Sequence, residues 1–231
     1  MAEQPSLVSV APQYPYPQRP VQVAEAESLV VFFGGFGDEI SGIMAHISLA
    51  LPPLMGAENR AYYHWHGSFP ADVTRGYTAI AADVQAFLTR NPQADVILIG
   101  HSMGAATALK VAESLPQMPS EHSRIMLLTL DPTERSVQPR RPASVSWWGN
   151  AYVVNSQSGR DFLFELGGRW GHCAGADINA CFDGRKKDEY GQAYIHDNAF
   201  SLLMSRGGSL PQSLYEQLKA FLQADNTQQP Q

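Results

Sequence analysis

Short apolar runs alternate along the chain with segments in which apolar residues recur three and four positions apart. The first run, residues 29–33, ends at Gly34 and Gly35 and indicates a strand that is buried on both faces. The next segment, residues 40–51, has the helical period and stops at two prolines. This order repeats, with predicted strands at residues 29–33, 61–65, 95–99, 124–130 and 151–154 and predicted helices at residues 40–51, 77–88, 105–115 and 209–224.

Strands separated by helices of this length predict a mainly parallel sheet with helices on both faces. We therefore expect a single α/β domain of three layers over residues 28–225. Residues 1–27 are rich in proline and predict a flexible arm, and residues 226–231 form a polar tail. Residues 156–191 are rich in Gly, Asp and Arg without a clear period, so we interpret them as an excursion over the sheet, a lid or pocket wall.

Composition limits the class of function. The chain has 231 residues, 44% of them hydrophobic, and a net charge of -6. This is a globular composition, and the negative charge opposes binding to nucleic-acid phosphates. No stretch approaches the roughly 20 apolar residues of a transmembrane helix, and the first residues lack the pattern of a signal peptide. We expect no nucleic-acid partner, no transmembrane segment, and a location that is cytoplasmic or reached by non-classical export; transient contact with a membrane surface stays open.

The sequence Gly100-His101-Ser102-Met103-Gly104 has the G-x-S-x-G form and joins a predicted strand to a predicted helix of small residues. A serine on so sharp a turn takes strained dihedral angles, and glycines let the neighbouring backbone pack close to it. An ordinary glycine-rich turn is the alternative. The strand, turn and helix together favour a nucleophile elbow.

These residues resemble the α/β-hydrolase superfamily, in particular its serine esterases and lipases, over about residues 29–205. The resemblance implies a three-layer α/β-hydrolase fold and a triad in the chain order serine, acid, histidine, which leaves His101 no catalytic part. Ser102 would be the nucleophile. His196 would be the base, because it lies in a polar break just before an apolar helix. His172 is the alternative base; it lies inside the excursion, where a solvent-exposed or structural histidine is the simpler interpretation.

Two aspartates are candidates for the acid of this triad. Asp131 follows the strand that ends at Leu130, at the sheet edge where open parallel sheets place their sites. Asp161 follows the next strand, where many members of the superfamily carry the acid. We favour Asp131, because Leu130-Asp131-Pro132 resembles a subset of lipase-like hydrolases with the acid at the earlier strand.

The resemblance also implies two backbone donors for the oxyanion that forms during acyl transfer. One is the N–H of Met103, directly after the nucleophile. The other is the N–H of Phe36, in a loop where Gly34 replaces a histidine that is frequent in the superfamily. Asp38 would hold this loop by local hydrogen bonds or cap the following helix.

The activity implied is hydrolysis of carboxylic esters, with acyl lipids or phospholipids as substrates and no metal or organic cofactor. A thioesterase or acyltransferase would use the same triad, and a catalytically silent binding module is the alternative outside the enzymes. A compact lipase without a signal peptide could also be a delivered toxin, with an immunity protein as its partner. An apolar cluster would cover the site, contact an acyl chain, or pack on the sheet; its members are Phe162, Leu163, Phe164, Leu166 and Trp170.

The two cysteines, Cys173 and Cys181, flank a loop rich in glycine and aspartate. They could pair in an oxidising compartment, and the sequence leaves this open. Together with His172 they fall short of the four ligands of a structural zinc site.

Overall fold

A computed structural model describes residues 26–52, 54, 58–64, 76–117, 123–208 and 210–223. The strands are β1 Ser28–Phe33, β2 Glu58–Tyr63, β3 Asp95–His101, β4 Ile125–Leu130, β5 Trp147–Val154 and β6 Ile178–Asp183. The helices are α1 Asp38–Ser41, α2 Ile43–Ala50, α3 Tyr77–Arg90, α4 Met103–Ser114, α5 Asp161–Gly167, α6 Ala199–Met204 and α7 Leu214–Gln223.

The six strands form one sheet in the order β2-β1-β3-β4-β5-β6, and neighbouring strands are parallel throughout. Alternate residues of β1 enter two separate cores, one on each face of the sheet. Helices α3 and α4 pack on one face, and α2, α6 and α7 pack on the other. Burial on both faces explains the continuous apolar run of β1. The predicted α/β class, with a parallel sheet between two helical layers, is confirmed.

The segment predicted as one helix over residues 40–51 is two helices. Gly42 separates α1 from α2 and has a φ of 62°, in the left-handed region that glycine enters without steric cost. Asp38 fixes the second helix, because its buried carboxylate accepts a hydrogen bond of 3.2 Å from the backbone N–H of Met44. The hydroxyl of Tyr62 donates to the same carboxylate and connects the turn to β2.

Strand β6 was not predicted, and residues 178–183 were wrongly included in the excursion. This strand lies at the edge of the sheet and is only partly buried, so it lacks the continuous apolar run that marks the central strands. Of the predicted excursion, residues 156–177 and 184–191 remain outside the sheet, and the first of these ranges contains α5.

The last helix begins later than its apolar period indicates. Ser213 and Glu216 form a capping box: the backbone N–H of Glu216 lies 3.1 Å from Oγ of Ser213, and the backbone N–H of Ser213 lies 2.7 Å from Oε2 of Glu216. This pair starts α7 at Leu214 instead of residue 209. The predicted arm lies outside the described residues except for residues 26 and 27, and the predicted tail lies wholly outside them.

Candidate active site

Ser102 lies on the turn between β3 and α4, with a φ of 56° and a ψ of -130°. Residues with a side chain seldom adopt this conformation, and such strain concentrates at functional sites. Two glycines allow the backbone to approach the turn. A Cβ atom on Gly104 would lie 2.3 Å from the carbonyl oxygen of Phe33, and one on Gly35 would lie 2.7 Å from Cβ of Ser102. The loop after β1 therefore rests directly against the serine.

The three side chains nominated as a triad meet in one chain of hydrogen bonds. Nε2 of His196 lies 2.9 Å from Oγ of Ser102, and Nδ1 of His196 lies 2.7 Å from Oδ2 of Asp131. All three side chains are buried. Because Nδ1 faces a carboxylate, it carries the ring proton of the neutral imidazole, and Nε2 presents its lone pair to the serine hydroxyl.

The carboxylate of Asp131 has two further contacts. Its Oδ1 accepts a hydrogen bond of 3.0 Å from the backbone N–H of Val153 on β5, and its Oδ2 forms an ion pair of 3.1 Å with Nη2 of Arg169. The other candidate acid, Asp161, begins α5, and its Oδ1 accepts a hydrogen bond of 2.9 Å from the same Nη2. The imidazole of His196 is thus bonded to Asp131, and the carboxylate of Asp161 to Arg169.

His101, which received no role from the sequence, supports the main chain of His196. Its Nε2 lies 2.7 Å from the backbone carbonyl oxygen of His196, and the two ring centroids are 4.7 Å apart. A carbonyl oxygen only accepts, so Nε2 of His101 carries the proton and donates it. Burial and the neighbouring His196 lower the pKa of His101 to about 3, so this ring is neutral at physiological pH.

Helix α5 covers the imidazole. The ring of Phe164 stacks on that of His196, with centroids 3.6 Å apart and planes inclined by 24°. Phe162, on the same helix, is 60% exposed. Trp170 differs from the other members of the predicted apolar cluster, because it is buried in the core and its Nε1 donates a hydrogen bond of 2.9 Å to the carbonyl of Glu134. The prediction of a single apolar cluster was therefore wrong for Trp170.

The two nominated oxyanion donors belong to the two segments that adjoin the serine, helix α4 and the loop after β1. Met103 is the first residue of α4, where backbone N–H groups have no acceptor within the helix. Phe36 follows Gly35 in the loop that touches Ser102, and its side chain is exposed.

The remaining candidates stand apart from this arrangement. His172 is exposed, and Cys173 and Cys181 are both free thiols. Burial raises the pKa of Cys173 to about 12, which keeps its thiol protonated.

Arg169 is a side-chain contact to the nominated acid that sequence analysis missed. Its side chain is 7% exposed and lines a cavity of about 480 Å³ together with Asp161 and Glu165. Burial disfavours its charge, but Asp131, Asp161 and Glu165 outweigh burial and raise its pKa. The sequence gives no sign of this buried contact, because Arg169 lies in a segment that is rich in charged residues.

A family model described as the alpha/beta hydrolase fold matches residues 61–161 of the chain. Among solved structures, a candidate cell surface hydrolase from Lactobacillus plantarum WCFS1 is 9% identical with a TM-score of 0.43, over 90% of this chain and 95% of that one. A metagenome-derived lipolytic enzyme is 12% identical with a TM-score of 0.44, over 87% of this chain and 95% of that one. No curated protein matches the sequence.

Within the part of the chain that the structure describes, no helix has the length and apolar character to cross a bilayer.

Proposed function

We propose that this chain is a serine hydrolase of the α/β-hydrolase superfamily and that it cleaves carboxylic esters. One observation carries the proposal: Ser102, His196 and Asp131 form a continuous chain of hydrogen bonds at a strained turn between a strand and a helix. A serine hydroxyl is a weak nucleophile until a base removes its proton, and the base needs a group that orients it. The three side chains supply these roles.

In the first half of the reaction, Oγ of Ser102 attacks the ester carbonyl carbon while Nε2 of His196 takes the hydroxyl proton. The carbonyl oxygen becomes an oxyanion, which the backbone N–H groups of Met103 and Phe36 stabilise. The bond between the carbonyl carbon and the alcohol oxygen then breaks, and Nε2 returns the proton to the leaving alcohol. Ser102 is left carrying the acyl group.

In the second half, Nε2 of His196 takes a proton from water, and the resulting hydroxide oxygen attacks the acyl carbon. The bond from this carbon to Oγ of Ser102 breaks, and Oγ recovers the proton from the imidazolium. The carboxylic acid leaves. Asp131 keeps its negative charge throughout, holds Nδ1 in the protonated state and stabilises the imidazolium that forms twice in each cycle.

Exposed apolar side chains support an acyl lipid as the substrate. They lie on two segments, the loop after β1 with the short helix α1 that follows it, and helix α5; the loop touches Ser102 and α5 touches His196. Soluble proteins place clustered apolar surface where they bind apolar ligands. The side chains are those of Phe36, Ile40, Phe162, Leu163 and Leu166.

The same helix supports the proposal of a lid. Ser102 is 8% exposed and His196 is 2% exposed, and the ring of Phe164 lies against the imidazole. A lid movement would take Phe164 off the imidazole, either by rotation of its side chain or by displacement of α5. Few buried contacts hold α5, since none of its residues is buried.

A fluorophosphonate probe and a panel of esters test the proposed function. We expect the probe to label the wild type at Ser102, and Ser102→Ala to lose labelling and about 10⁴-fold or more in kcat. Ser114→Ala is the matched control, because Ser114 is exposed at the far end of α4. Equal labelling of the wild type and Ser102→Ala would refute the triad.

The panel also separates substrate classes. It contains acetate, butyrate and palmitate esters, a phospholipid and the matching thioesters. Faster turnover of thioesters than of oxygen esters would keep the triad and overturn the ester specificity. Contact with a membrane surface and an immunity partner stay predictions.

A further inference from the structure

The guanidinium of Arg169 joins the carboxylate of the proposed acid to the helix that covers the proposed base. Nη2 lies 3.1 Å from Oδ2 of Asp131 and 2.9 Å from Oδ1 of Asp161, and Nη1 lies 3.2 Å from Oε1 of Glu165. We propose that Arg169 is a positioning residue of the triad, which fixes the carboxylate of Asp131 and ties it to α5. This proposal rests on the proposed function.

Backbone hydrogen bonds between the two loops stabilise the contact between Arg169 and Asp131. Thr133, two residues after the acid, and Arg169 form an antiparallel bridge. On either side of this bridge, the backbone N–H of Trp170 donates 2.8 Å to the carbonyl of Pro132, and that of Glu134 donates 3.1 Å to the carbonyl of Gly168. The loop that carries Arg169 is therefore paired with the loop that carries the acid, and this pairing distinguishes the contact from a surface ion pair.

Oδ2 of Asp131 faces two cationic or proton-donating groups, Nδ1 of His196 at 2.7 Å and Nη2 of Arg169 at 3.1 Å. Together with the N–H of Val153 on Oδ1, they fix the carboxylate plane from three directions. Without Arg169, Oδ2 would keep only its contact with Nδ1 of His196, and the carboxylate would be held less firmly about the bond to Cβ. Small misplacements of this kind reduce turnover more than substrate binding, because orientation matters most in the transition state.

Arg169 also weakens the attraction between Asp131 and a protonated His196, since a guanidinium at the carboxylate opposes a second positive charge. Its removal would therefore make the imidazolium more favourable, and a higher pH would be needed to free the base. The acid limb of kcat/KM against pH should move to higher pH.

When Arg169 is removed, the other charged and titratable groups near Asp131 and His196 either favour the imidazolium further or keep the charge they had. Asp161 and Glu165 on α5 would lose their cation together with Asp131 and would further favour an imidazolium. His101 on β3 is neutral, because burial and His196 lower its pKa to about 3. Asp197, next to the base, is paired with Arg160, and Ser102 stays uncharged. The charged and polar groups around the imidazole of His196 are Asp131, Asp161, Glu165, Arg169, His101, Asp197, Arg160 and Ser102.

Two substitutions separate the charge of Arg169 from its shape. Arg169→Gln removes the charge, and we expect kcat on a butyrate ester to fall about 10- to 100-fold with KM within about threefold. The acid limb should rise by about 0.5 to 1 pH unit. Arg169→Lys keeps the charge but lacks the planar fork, so we expect a fall of about 3- to 10-fold with the acid limb unmoved. Arg141→Gln is the matched control, because Arg141 pairs with Asp177 and Ser146 away from the triad.

An NMR titration of the His196 imidazole gives a readout that needs no turnover. The titration midpoint should rise by about 0.5 to 1 pH unit in Arg169→Gln and stay at the wild-type value in Arg169→Lys and Arg141→Gln. Circular dichroism and melting temperatures establish that each variant is folded. If Arg169→Gln fails to fold, Arg169→Lys decides, and a wild-type kcat in that variant would overturn the proposal.

A folded Arg169→Gln with unchanged kcat and midpoint would also overturn the proposal, and so would a lower kcat with an unchanged midpoint, which would mark a packing role. Failure of the proposed function has a different signature, since Ser102→Ala would then retain the wild-type turnover.

Discussion

Replacing Asp131 with Asn tests the acid of the proposed triad with almost no change of shape. The carboxylate accepts the hydrogen bond of His196 Nδ1 at 2.7 Å, which fixes the tautomer with its proton on Nδ1. An amide at this place can present an N–H, which favours the other tautomer and leaves Nε2 unable to take the proton of Ser102. We expect kcat to fall about 10⁴-fold, which corresponds to about 5.4 kcal/mol of transition-state stabilisation at about 1.36 kcal/mol for each factor of ten.

The same substitution should have a modest effect on stability. Removing one partner of a buried ion pair costs about 3–5 kcal/mol when the other charge is left alone. Here Arg169 keeps Asp161 and Glu165, so its charge stays compensated. The φ of 41° at position 131 suits asparagine, which tolerates the left-handed region better than most residues. We therefore expect a loss of about 1–2 kcal/mol in the free energy of unfolding.

Asp161→Asn is the comparison variant, because it removes a carboxylate from the same arginine without touching His196. We expect its kcat on a butyrate ester to stay within about fivefold of the wild type. The assay measures kcat and KM for both variants at pH 8, with urea denaturation for stability. A loss of several decades in Asp161→Asn and a small one in Asp131→Asn would refute the reasoning and move the acid to Asp161.

Further predictions concern the lid and the buried histidine. Phe162→Ala should lower kcat/KM on palmitate esters about tenfold and leave acetate esters and the melting temperature unchanged, because Phe162 is exposed, whereas Trp170→Ala should lower the melting temperature and both activities. An equal loss on both esters in Phe162→Ala would favour packing instead. His101 has a pKa lowered to about 3, so below its ordinary value of 6.5 the unfolded chain takes up a proton that the native state refuses. Stability should fall as the pH drops from about 6.5 towards 3, by up to about 1.4 kcal/mol per pH unit, and urea denaturation of His101→Gln should lack this part of the slope.

The central strands and the turn at Ser102 could be predicted because their signals are local. A strand buried on both faces needs a continuous apolar run, and β1, β3 and β4 have one. The turn needs glycines where backbone approaches within 3 Å of where a Cβ would lie, as at Gly104. A half-buried edge strand needs neither a continuous apolar run nor glycines at a close backbone approach. Strand β6 is such a strand, and it was missed for that reason.

The proposed acid and base could be nominated because a parallel sheet brings the carboxyl ends of its strands to one edge. Asp131 directly follows β4, and Ser102 directly follows β3, its neighbour in the sheet. The position of His196 depends on the chain's path after β6. The family order of the triad and the polar break before an apolar helix pointed to this residue. Chain order identifies which histidine returns to the edge, but it gives no distance.

The groups that hold the side chains of Asp131 and His196 in position could not be predicted from the sequence. Each is a residue type that is common at its position in the chain. Val153 holds Asp131 through a backbone N–H that any residue except proline would offer at that position of β5. His101 holds the carbonyl of His196 from a motif position that the motif leaves unspecified. Arg169 reaches Asp131 only because two loops, far apart in the chain, pair at Thr133. A motif can therefore nominate a nucleophile, whereas the precision of the proposed triad depends on tertiary contacts that form only when the sheet is complete.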